Sequence, residues 1–236
     1  MNMKAALILS SALIAASAHA DFIGATLEAG AFNPDSELTL QDDGSSPITN
    51  KSNMDGERGT YYGIAIEHPI PVIPNLRIQG TELVSKGTIT TTYNGSSVND
   101  AAAELDLSHT DYTLYYEFLD GIFWLHFDAG FTLRDYDGSV NIDSDITSLN
   151  AVVPMLYIAP SIAIPGTGLS FGAEIKNLSI GNNSITDTTL KVKWDSGFLF
   201  GIEAGTRSHD VVLDDIDGLD INSINDGAFV GIFLDF

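Results

Sequence analysis

The sequence contains no cysteine, and basic residues are scarce. Its 236 residues include 10 Lys and Arg against 32 Asp and Glu, which gives a formal net charge of −22. Without cysteine, a disulfide scaffold, a zinc–thiolate site and a thiol nucleophile are excluded. A negative field of this size repels phosphate groups, so no nucleic acid partner is expected. Apolar residues make up 44% of the chain, which is too many for a disordered acidic protein.

Long apolar runs are also lacking beyond the N-terminus. The most apolar stretch, 151–165, contains prolines and is shorter than the roughly 18 residues of a membrane-spanning helix. At the N-terminus, Lys4 precedes the apolar segment 5–16, and Ala18-His19-Ala20 follows. This is the pattern of a cleaved signal peptide. We therefore expect residues 1–20 to be a signal peptide and residues 21–236 to be the exported protein.

The exported part alternates between apolar and other residues along most of its length. Segments 23–31, 123–134, 169–176 and 198–207 each carry apolar side chains at every second position. Period two puts successive side chains on opposite faces of a strand, so each strand has one apolar face. About ten strands are predicted on this pattern. They are 22–32, 59–68, 76–93, 103–118, 121–137, 149–163, 168–181, 187–195, 198–212 and 227–236.

The connections and the C-terminus favour a membrane barrel over a soluble β-sandwich. Connections after even-numbered strands are short turns such as 68–75, whereas 33–58 and 213–226 are predicted to be long polar loops. Short turns at one end and long loops at the other are typical of an outer-membrane barrel with periplasmic termini. The alternating C-terminus resembles the sorting signal that the barrel insertion machinery reads in bacterial outer-membrane barrels. The residues predicted to form this insertion signal are Val230, Ile232, Leu234 and Phe236.

The charged residues agree with this arrangement. If the apolar faces meet lipid, acids and bases in equal number face the lumen, and the excess acid lies in surface loops and rims. The fold expected is a closed antiparallel transmembrane β-barrel of about ten strands, with eight as the alternative. The predicted lumenal charge network is Glu28, Glu67, Arg77, Glu117, His126, Asp128, Arg134, Glu174, Lys176, Lys191, Lys193, Glu203 and Arg207.

Some residues lie on the lipid face without being aliphatic. Glu82, Asp106, Ser108 and Thr110 interrupt it and are expected above the hydrocarbon or after a bulge. The aromatic residues on this face are candidates for the girdles that mark the membrane interfaces. They are Tyr62, Tyr112, Tyr116, Phe118 and Trp194.

The proline-rich turn Glu67-His-Pro-Ile-Pro-Val-Ile-Pro-Asn75 resembles that of a family of small outer-membrane β-barrel proteins from Gram-negative bacteria. Segments 105–116, 153–157 and 214–217 extend the similarity over essentially the whole chain. The resemblance implies an outer-membrane location and a barrel architecture. It implies no activity and no catalytic residues.

Candidate catalytic and metal sites are weak. Ser208, His209 and Asp210 are adjacent, so on a strand they point to opposite faces and cannot form a relay. His109 and Asp111 share a face, as do His126 and Asp128, but neither pair has a serine nucleophile in the same stretch. We therefore expect no enzyme and no cofactor. The weak candidate for Ca²⁺ or Mg²⁺ binding is an acidic loop that lacks the EF-hand spacing and contains Asp214, Asp215, Asp217 and Asp220.

The function expected from these features is a non-catalytic, structural or surface-interaction role in the outer membrane. The partners expected are outer-membrane lipid and lipopolysaccharide. The alternative is a narrow cation or small-solute channel, because acidic mouths favour cations if a thin path exists. A lipid-modifying outer-membrane enzyme is the more distant alternative.

Overall fold

The computed structural model describes residues 23–42, 51–70, 72–93, 95–118, 124–216 and 219–236, so the predicted signal peptide lies outside the described residues. Among the residues described, no helix is long and apolar enough to cross a membrane. The strands are β1 (Gly24–Asp42), β2 (Lys51–Gly56), β3 (Gly59–Glu67), β4 (Asn75–Thr81), β5 (Val84–Tyr93), β6 (Ser96–Asp106), β7 (His109–Glu117), β8 (Leu125–Ile142), β9 (Asp145–Ile164), β10 (Leu169–Ile180), β11 (Asn183–Phe198), β12 (Phe200–Ile216) and β13 (Leu219–Asp235).

Ten of these strands close into an antiparallel barrel. The ring runs β8–β7–β4–β3–β1–β13–β12–β11–β10–β9, and the pairing of β9 with β8 closes it. The two ends of the chain meet in this ring, because β1 pairs with β13 from Thr26↔Asp235 to Asp42↔Leu219. Closure gives the backbone groups of each strand neighbours on both sides, as a hydrocarbon environment requires. The predicted closed ten-strand barrel is confirmed.

Three further strands lengthen the wall at the end far from the termini. β2, β5 and β6 continue β3, β4 and β7 after short interruptions at 57–58, 82–83 and 107–108. β2 pairs with β5, β5 with β6, and β6 with the far end of β8. We call this part of the barrel the sleeve. It consists of residues 33–42, 51–58, 82–93, 95–108, 135–153, 177–187, 208–216 and 219–226.

Side-chain polarity inverts where the barrel becomes the sleeve. On β8, Phe131 and Leu133 face outward and are 66% and 51% exposed, whereas the next outward residue is Asp135. The inward face of β8 shows the opposite change from polar to apolar. The buried Arg134 lies at the level of the belt, and the buried Val140 lies farther along the strand. A wall that is apolar outside and polar inside suits a bilayer, and the opposite arrangement suits water. The barrel therefore crosses a membrane only in its half near the termini.

The membrane-facing half carries a continuous apolar belt. On β8 the outward apolar positions extend from Leu125 to Leu133, close to the roughly 9–11 residues that a tilted strand needs to cross a bilayer. All five predicted girdle aromatics are exposed on this surface, as are Trp124 and Phe198. Residues of the belt include Leu27, Ile64, Ile66, Leu114, Phe131, Leu133, Leu156, Phe171, Leu190, Ile202, Val230 and Ile232.

The residues of the predicted insertion signal lie on β13 and at the chain end. Val230 and Ile232 face outward in the belt, and Leu234 and Phe236 are half-buried. The backbone N–H of Phe236 donates to the carbonyl of Ala25 at 2.9 Å, which joins the last residue to β1. The recognition of this segment by insertion machinery stays a prediction.

The predicted long polar loops are wrong. β1 continues through 33–42 and β2 occupies 51–56, while only two residues separate β12 from β13. Two-residue connections also join β5 to β6, β8 to β9 and β10 to β11. Asp143 and Gly181 in these turns have φ of 58° and 63°, the left-handed conformation of tight hairpins. The acidic residues assigned to loops therefore lie mostly on strands of the sleeve.

The polar residues that interrupt the predicted lipid face lie at the boundary between belt and sleeve. Glu82 Oε2 accepts hydrogen bonds from the Thr60 amide at 3.1 Å and the Thr60 hydroxyl at 2.6 Å. Ser108 Oγ accepts a hydrogen bond from the Leu83 amide at 3.1 Å. Thr110 pairs with Asp135, the first acidic outward residue of β8. Glu82 and Asp106 thus lie above the apolar belt, as expected.

We predict that Phe131→Arg destabilises the barrel in lipid by about 2 kcal/mol, because a charge then faces the hydrocarbon. Urea titration in lipid vesicles, read by the gel mobility of boiled and unboiled samples, measures the change. Asp137→Arg places the same residue outward on the sleeve and is expected to change stability by less than about 0.5 kcal/mol. Equal effects of the two substitutions would contradict the assigned position of the belt.

Candidate functional site

The centre of the lumen contains buried charged side chains in direct contact. Arg77 Nη2 lies 2.7 Å from Glu28 Oε1, and Arg77 Nη1 lies 2.6 Å from Glu174 Oε2. Lys176 Nζ then contacts Glu174 Oε1 at 2.9 Å and Asp111 Oδ2 at 2.8 Å. These contacts join β1, β4, β7 and β10 across the lumen.

The same series of contacts continues from Asp111 to the other wall. Arg134 Nε binds Asp111 Oδ1 at 2.7 Å, and Arg134 Nη2 binds Asp187 Oδ2 at 2.6 Å. Arg207 Nη2 binds the same Asp187 oxygen at 2.5 Å. Acids and bases therefore alternate through one ion-pair chain. Its members are Glu28, Arg77, Glu174, Lys176, Asp111, Arg134, Asp187 and Arg207.

Neutral groups complete the ion-pair chain. Gln79 donates to Glu28 Oε1 at 2.7 Å and accepts from Lys176 Nζ at 2.7 Å. Thr81 Oγ1 accepts a hydrogen bond from Arg207 Nη1 at 3.1 Å. Removing charges from water costs several kcal/mol each, and the cost is offset only when each charge has good partners. The balanced signs and short distances meet most of that requirement, and among the described atoms of the ion-pair chain only Arg134 Nη1 is buried without a hydrogen-bond partner.

A second layer lies directly beyond the ion-pair chain. The rings of His109 and His209 stack with centroids 5.5 Å apart, and Tyr136 Oη lies 3.2 Å from His209 Nε2. His109 Nε2 lies 3.3 Å from Arg207 Nη2, which links this layer to the charges below it. All three side chains are buried.

The sleeve contains an apolar core beyond these rings. A small polar group crosses the core, since Ser85 Oγ donates to Ser36 Oγ at 2.7 Å and Ser36 Oγ donates to Asn225 at 2.6 Å. The rest of the interior is mainly apolar and nearly fully buried, and it also contains the Tyr93 ring and the Thr91 hydroxyl. Core residues include Leu40, Leu83, Ile89, Leu105, Val140, Ile185, Val211 and Ile221. Among the residues that the structure describes, the lumen is thus filled from the ion-pair chain to the sleeve.

At the terminal end, the lumen opens into a vestibule of about 560 Å³. Glu67, Glu117 and Asp128 line one side of it, and Lys191 and Lys193 line the other. A small polar cavity of about 40 Å³ lies deeper and shares Glu28, Glu174 and Lys191 with the vestibule. The vestibule gives a solute access to the lower lumen, and the ion-pair chain ends that access.

The structure places every residue of the predicted lumenal network on the inward face. Six belong to the ion-pair chain: Glu28, Arg77, Arg134, Glu174, Lys176 and Arg207. Lys191 reaches Glu174 at 3.5 Å, Glu67 accepts a hydrogen bond from Tyr115 at 2.8 Å, and Glu203 accepts one from Tyr61 at 2.6 Å. Lys193 lies over the Phe233 ring at 3.9 Å. Glu117, His126 and Asp128 line the vestibule.

Sequence reasoning missed two members of the ion-pair chain. The sequence pattern predicts a strand that starts at Asp187, whereas β11 begins at Asn183 and puts Asp187 at mid-wall. The sequence pairs Asp111 with His109, whose Nδ1 instead lies 2.8 Å from the Leu107 carbonyl. The sequence signal that could have identified them is the two-residue period of a strand. This period puts both aspartates on the same face as predicted lumenal residues of their own strands.

The weak catalytic and metal candidates have the following positions. His209 faces inward, while Ser208 Oγ contacts Asp210 at 3.4 Å on the other side of the strand. Asp214 accepts a hydrogen bond from Asn182 at 2.5 Å and lies on β12, and Asp220 lies on β13. Asp217 and the Asp215 side chain lie outside the description. Within the described ranges, no three His, Asp or Glu side chains are grouped so as to hold a metal ion.

One juxtaposition was not visible in the sequence. His126 is directly opposite Ser161 in the β8–β9 ladder, and Asp128 follows His126 on the same face. All three line the vestibule. The serine lies on a different strand, so no single stretch of sequence contains both His126 and Ser161.

One of the known structures that match has a TM-score above 0.5 and agrees with this fold. The outer membrane protease OmpT from Escherichia coli matches with a TM-score of 0.57 and 10% identity, over 90% of this chain and 97% of that chain. The translocator domain of autotransporter NalP from Neisseria meningitidis has a TM-score of 0.40 and 10% identity, over 98% and 94%. The outer membrane protein OprG from Pseudomonas aeruginosa has a TM-score of 0.33 and 9% identity, over 92% and 97%.

The likeness to OmpT shows the fold alone, since the identity is low. No protein-family model matches the sequence, and no curated protein matches it. The chain is an outer-membrane β-barrel. The apolar belt supports this location independently, because a closed barrel with this outer surface requires a surrounding bilayer.

We predict that Asp187→Asn lowers the free energy of unfolding by about 3–5 kcal/mol, because Arg134 and Arg207 then lose a buried counter-charge. Asp137→Asn removes the same charge from the exposed face of β8 and is expected to have little effect. Urea titration of both variants measures the difference. A loss of less than 1 kcal/mol in Asp187→Asn would show that the ion-pair chain contributes little to stability.

Proposed function

We propose that the protein is a non-conducting barrel that acts at the cell surface through its sleeve, in a structural or surface-interaction role without catalysis. The observation that supports this role is the filled lumen. The ion-pair chain, the His109–His209–Tyr136 layer and the apolar core follow one another along the barrel. A hydrated ion would have to separate the charges of the ion-pair chain and then enter the apolar core, and both steps cost free energy.

The orientation follows from the topology. An even number of antiparallel strands puts both chain ends at one end of the barrel, and the sleeve lies at the other. In outer-membrane barrels the short periplasmic side is opposite a larger extracellular part. We therefore place the sleeve outside the cell and the vestibule towards the periplasm.

The outer face of the sleeve carries most of the excess negative charge. Against its many acids, the sleeve contains the bases Lys51, Arg58 and Lys86, and Lys86 Nζ lies 3.2 Å from Glu57 and 3.5 Å from Glu104. These two carboxylates raise the pKa of Lys86. The sleeve acids whose side chains are described and that lie outside the ion-pair chain are Asp35, Glu37, Asp55, Glu57, Glu82, Asp100, Glu104, Asp106, Asp135, Asp137, Asp143, Asp145, Asp210, Asp214, Asp220 and Asp226. Such a surface attracts cationic groups and repels anionic ones.

We predict that the refolded protein gives no stable conductance in planar bilayers at moderate salt. The physical reason is that the ion-pair chain, the His109–His209–Tyr136 layer and the packed core of the sleeve follow one another across the lumen in the described residues. Arg77→Ala should widen the vestibule and still give no conductance, because the layers beyond it remain. Stable cation-selective steps from the unmodified protein would contradict the proposal and support the narrow channel.

The second candidate function is acyl hydrolysis in the vestibule, which the position of Ser161 opposite His126 favours. It ranks second because the backbone amides around Ser161 lie in sheet ladders, which leaves no evident donors for an oxyanion. We expect a fluorophosphonate probe to leave the protein unlabelled. Labelling that disappears in Ser161→Ala and persists in Ser148→Ala, a serine of the sleeve, would establish this candidate instead.

A further inference from the structure

One carboxylate in the lumen lacks a full set of partners. Glu203 is buried on the inward face of β12, and its Oε1 accepts a hydrogen bond from the Tyr61 hydroxyl at 2.6 Å. Its other oxygen, Oε2, is buried and has no hydrogen-bond partner in the part of the chain that the structure describes. A buried acceptor without a donor costs free energy, and an ionised one costs more. The environment of Glu203 therefore indicates that a donor from outside the chain completes it.

Two glycines beside Glu203 fix the position of Tyr61. A Cβ at Gly30 would collide with the Tyr61 ring, and a Cβ at Gly231 would collide with the Tyr61 hydroxyl. Gly30 and Gly231 are partners in the β1–β13 ladder, and Glu203 is opposite Gly231 on β12. Tyr61 thus lies over two positions that have no side chain, and its hydroxyl reaches one oxygen of Glu203. This arrangement satisfies Oε1 and leaves Oε2 available.

Glu203 lines the small polar cavity that adjoins the vestibule, which we call the inner cavity. Its volume of about 40 Å³ has room for roughly three water molecules, or for an ammonium group and the carbon that bears it. Glu28, Glu174 and Lys191 line both the inner cavity and the vestibule. The contact between Lys191 and Glu174, at 3.5 Å, is the longest ion pair among the described lumenal residues. The junction between the two cavities is therefore the most easily opened part of the charged lumen.

The base on the neighbouring strand does not pair with Glu203. Lys193 is directly opposite Glu203 in the β11–β12 ladder, and oppositely charged side chains in such a pair attract each other. Lys193 Nζ instead lies over the Phe233 ring at 3.9 Å and forms no ion pair within the described ranges. Phe233 reaches this position across Gly201, where a Cβ would collide with the ring. The ring thus holds Lys193 on the vestibule side, apart from Glu203.

A solute that carries both charges fits this arrangement better than a bare ion. A bare cation at Glu203 is repelled by the bases that also line the inner cavity, which are Lys176, Lys191 and Arg207. An anion at Lys193 leaves Glu203 Oε2 without a donor. A zwitterion has no net charge, and its ammonium can donate to Glu203 while its anionic end meets Lys193. The closed wall separates the lumen from the bilayer, so the ligand is a free solute and not a lipid headgroup.

We propose that the inner cavity and the adjoining part of the vestibule bind a small zwitterion that carries a primary ammonium and a carboxylate a few carbons apart. The ammonium enters the inner cavity and donates to Glu203 Oε2, and the carboxylate stays in the vestibule against Lys193. Opposite residues in an antiparallel ladder have Cβ atoms about 5 Å apart, so a short carbon chain spans the two groups. The site does not depend on the surface role of the sleeve. The orientation proposed above makes the ligand a periplasmic solute.

The probe for this site is β-alanine, titrated into the refolded barrel in detergent and followed by isothermal calorimetry. Saturable binding at millimolar or lower concentration is expected. Propylamine, which has only the ammonium, and propionate, which has only the carboxylate, should each bind at least about tenfold more weakly. Equal binding of either compound would overturn the two-charge site. If β-alanine gives no saturable heat and no shift in the urea midpoint, water alone occupies the inner cavity and the proposal is wrong.

Matched variants locate the ammonium. Glu203→Gln keeps an acceptor for Tyr61 and removes the charge, so it should weaken binding of β-alanine by about tenfold or more. The control, Glu67→Gln, changes another lumenal glutamate in the same way. Glu67 accepts a hydrogen bond from Tyr115 at 2.8 Å, and its replacement should change binding less than about twofold. Equal weakening by both variants would contradict the assignment to Glu203, and the gel mobility of unboiled samples verifies that each variant is folded.

A second variant tests the other end of the ligand and does not require that Glu203→Gln folds. Lys193→Gln removes a partly exposed base of the vestibule. It should weaken binding of β-alanine by about tenfold and change binding of propylamine less than about twofold, because propylamine has no carboxylate to lose its partner. Loss of binding by the same factor for both compounds would refute the placement of the carboxylate at Lys193.

Discussion

The structure depends on keeping Arg134 charged where water does not reach it. Its side chain has no solvent exposure, and it is held between Asp111 and Asp187 at 2.7 and 2.6 Å. Each aspartate is in turn held by a second base, Lys176 or Arg207, so the requirement extends along the whole ion-pair chain. These residues come from separate strands, and their contacts hold opposite walls of the barrel together. The buried charges thus specify the geometry of the lumen.

The inversion of polarity explains how one continuous sheet serves two environments. Strands such as β1 and β8 leave the bilayer without a break, and only the choice of residues on each face changes. Below the boundary, the inner face carries charges that pair across the lumen. Above it, the inner face carries aliphatic residues that pack as in a soluble protein, and the outer face carries acids. The consequence is a barrel that is a membrane protein at one end and resembles a water-soluble one at the other.

Strand alternation was enough to predict the ten strands and the inward face of the lumenal residues. The alternation pattern failed where polarity inverts. If every strand is assumed to have an apolar outer face, a strand with acidic outward residues such as Asp35 and Glu37 is predicted to be a loop. The two-residue turns had a sequence signal, since Gly181-Asn182 and Asp217-Gly218 are dipeptides that favour tight hairpins. Contacts between strands distant in sequence, such as Arg134 with Asp187, follow from register and closure, which one sequence does not supply. The position of Ser161 opposite His126 could not be predicted for the same reason, because it depends on the register of β8 and β9.

The seam between β1 and β13 has a kinetic consequence. These strands are the first and last of the described chain, and their ladder runs from Thr26↔Asp235 to Asp42↔Leu219. Contacts of such large sequence separation form late and slowly, because nearly the entire polypeptide must be ordered beforehand. Until that moment the sheet has two open margins, each exposing unsatisfied amides to lipid. Completion of the cylinder is thus the step at which assembly is most vulnerable to mispairing with another molecule.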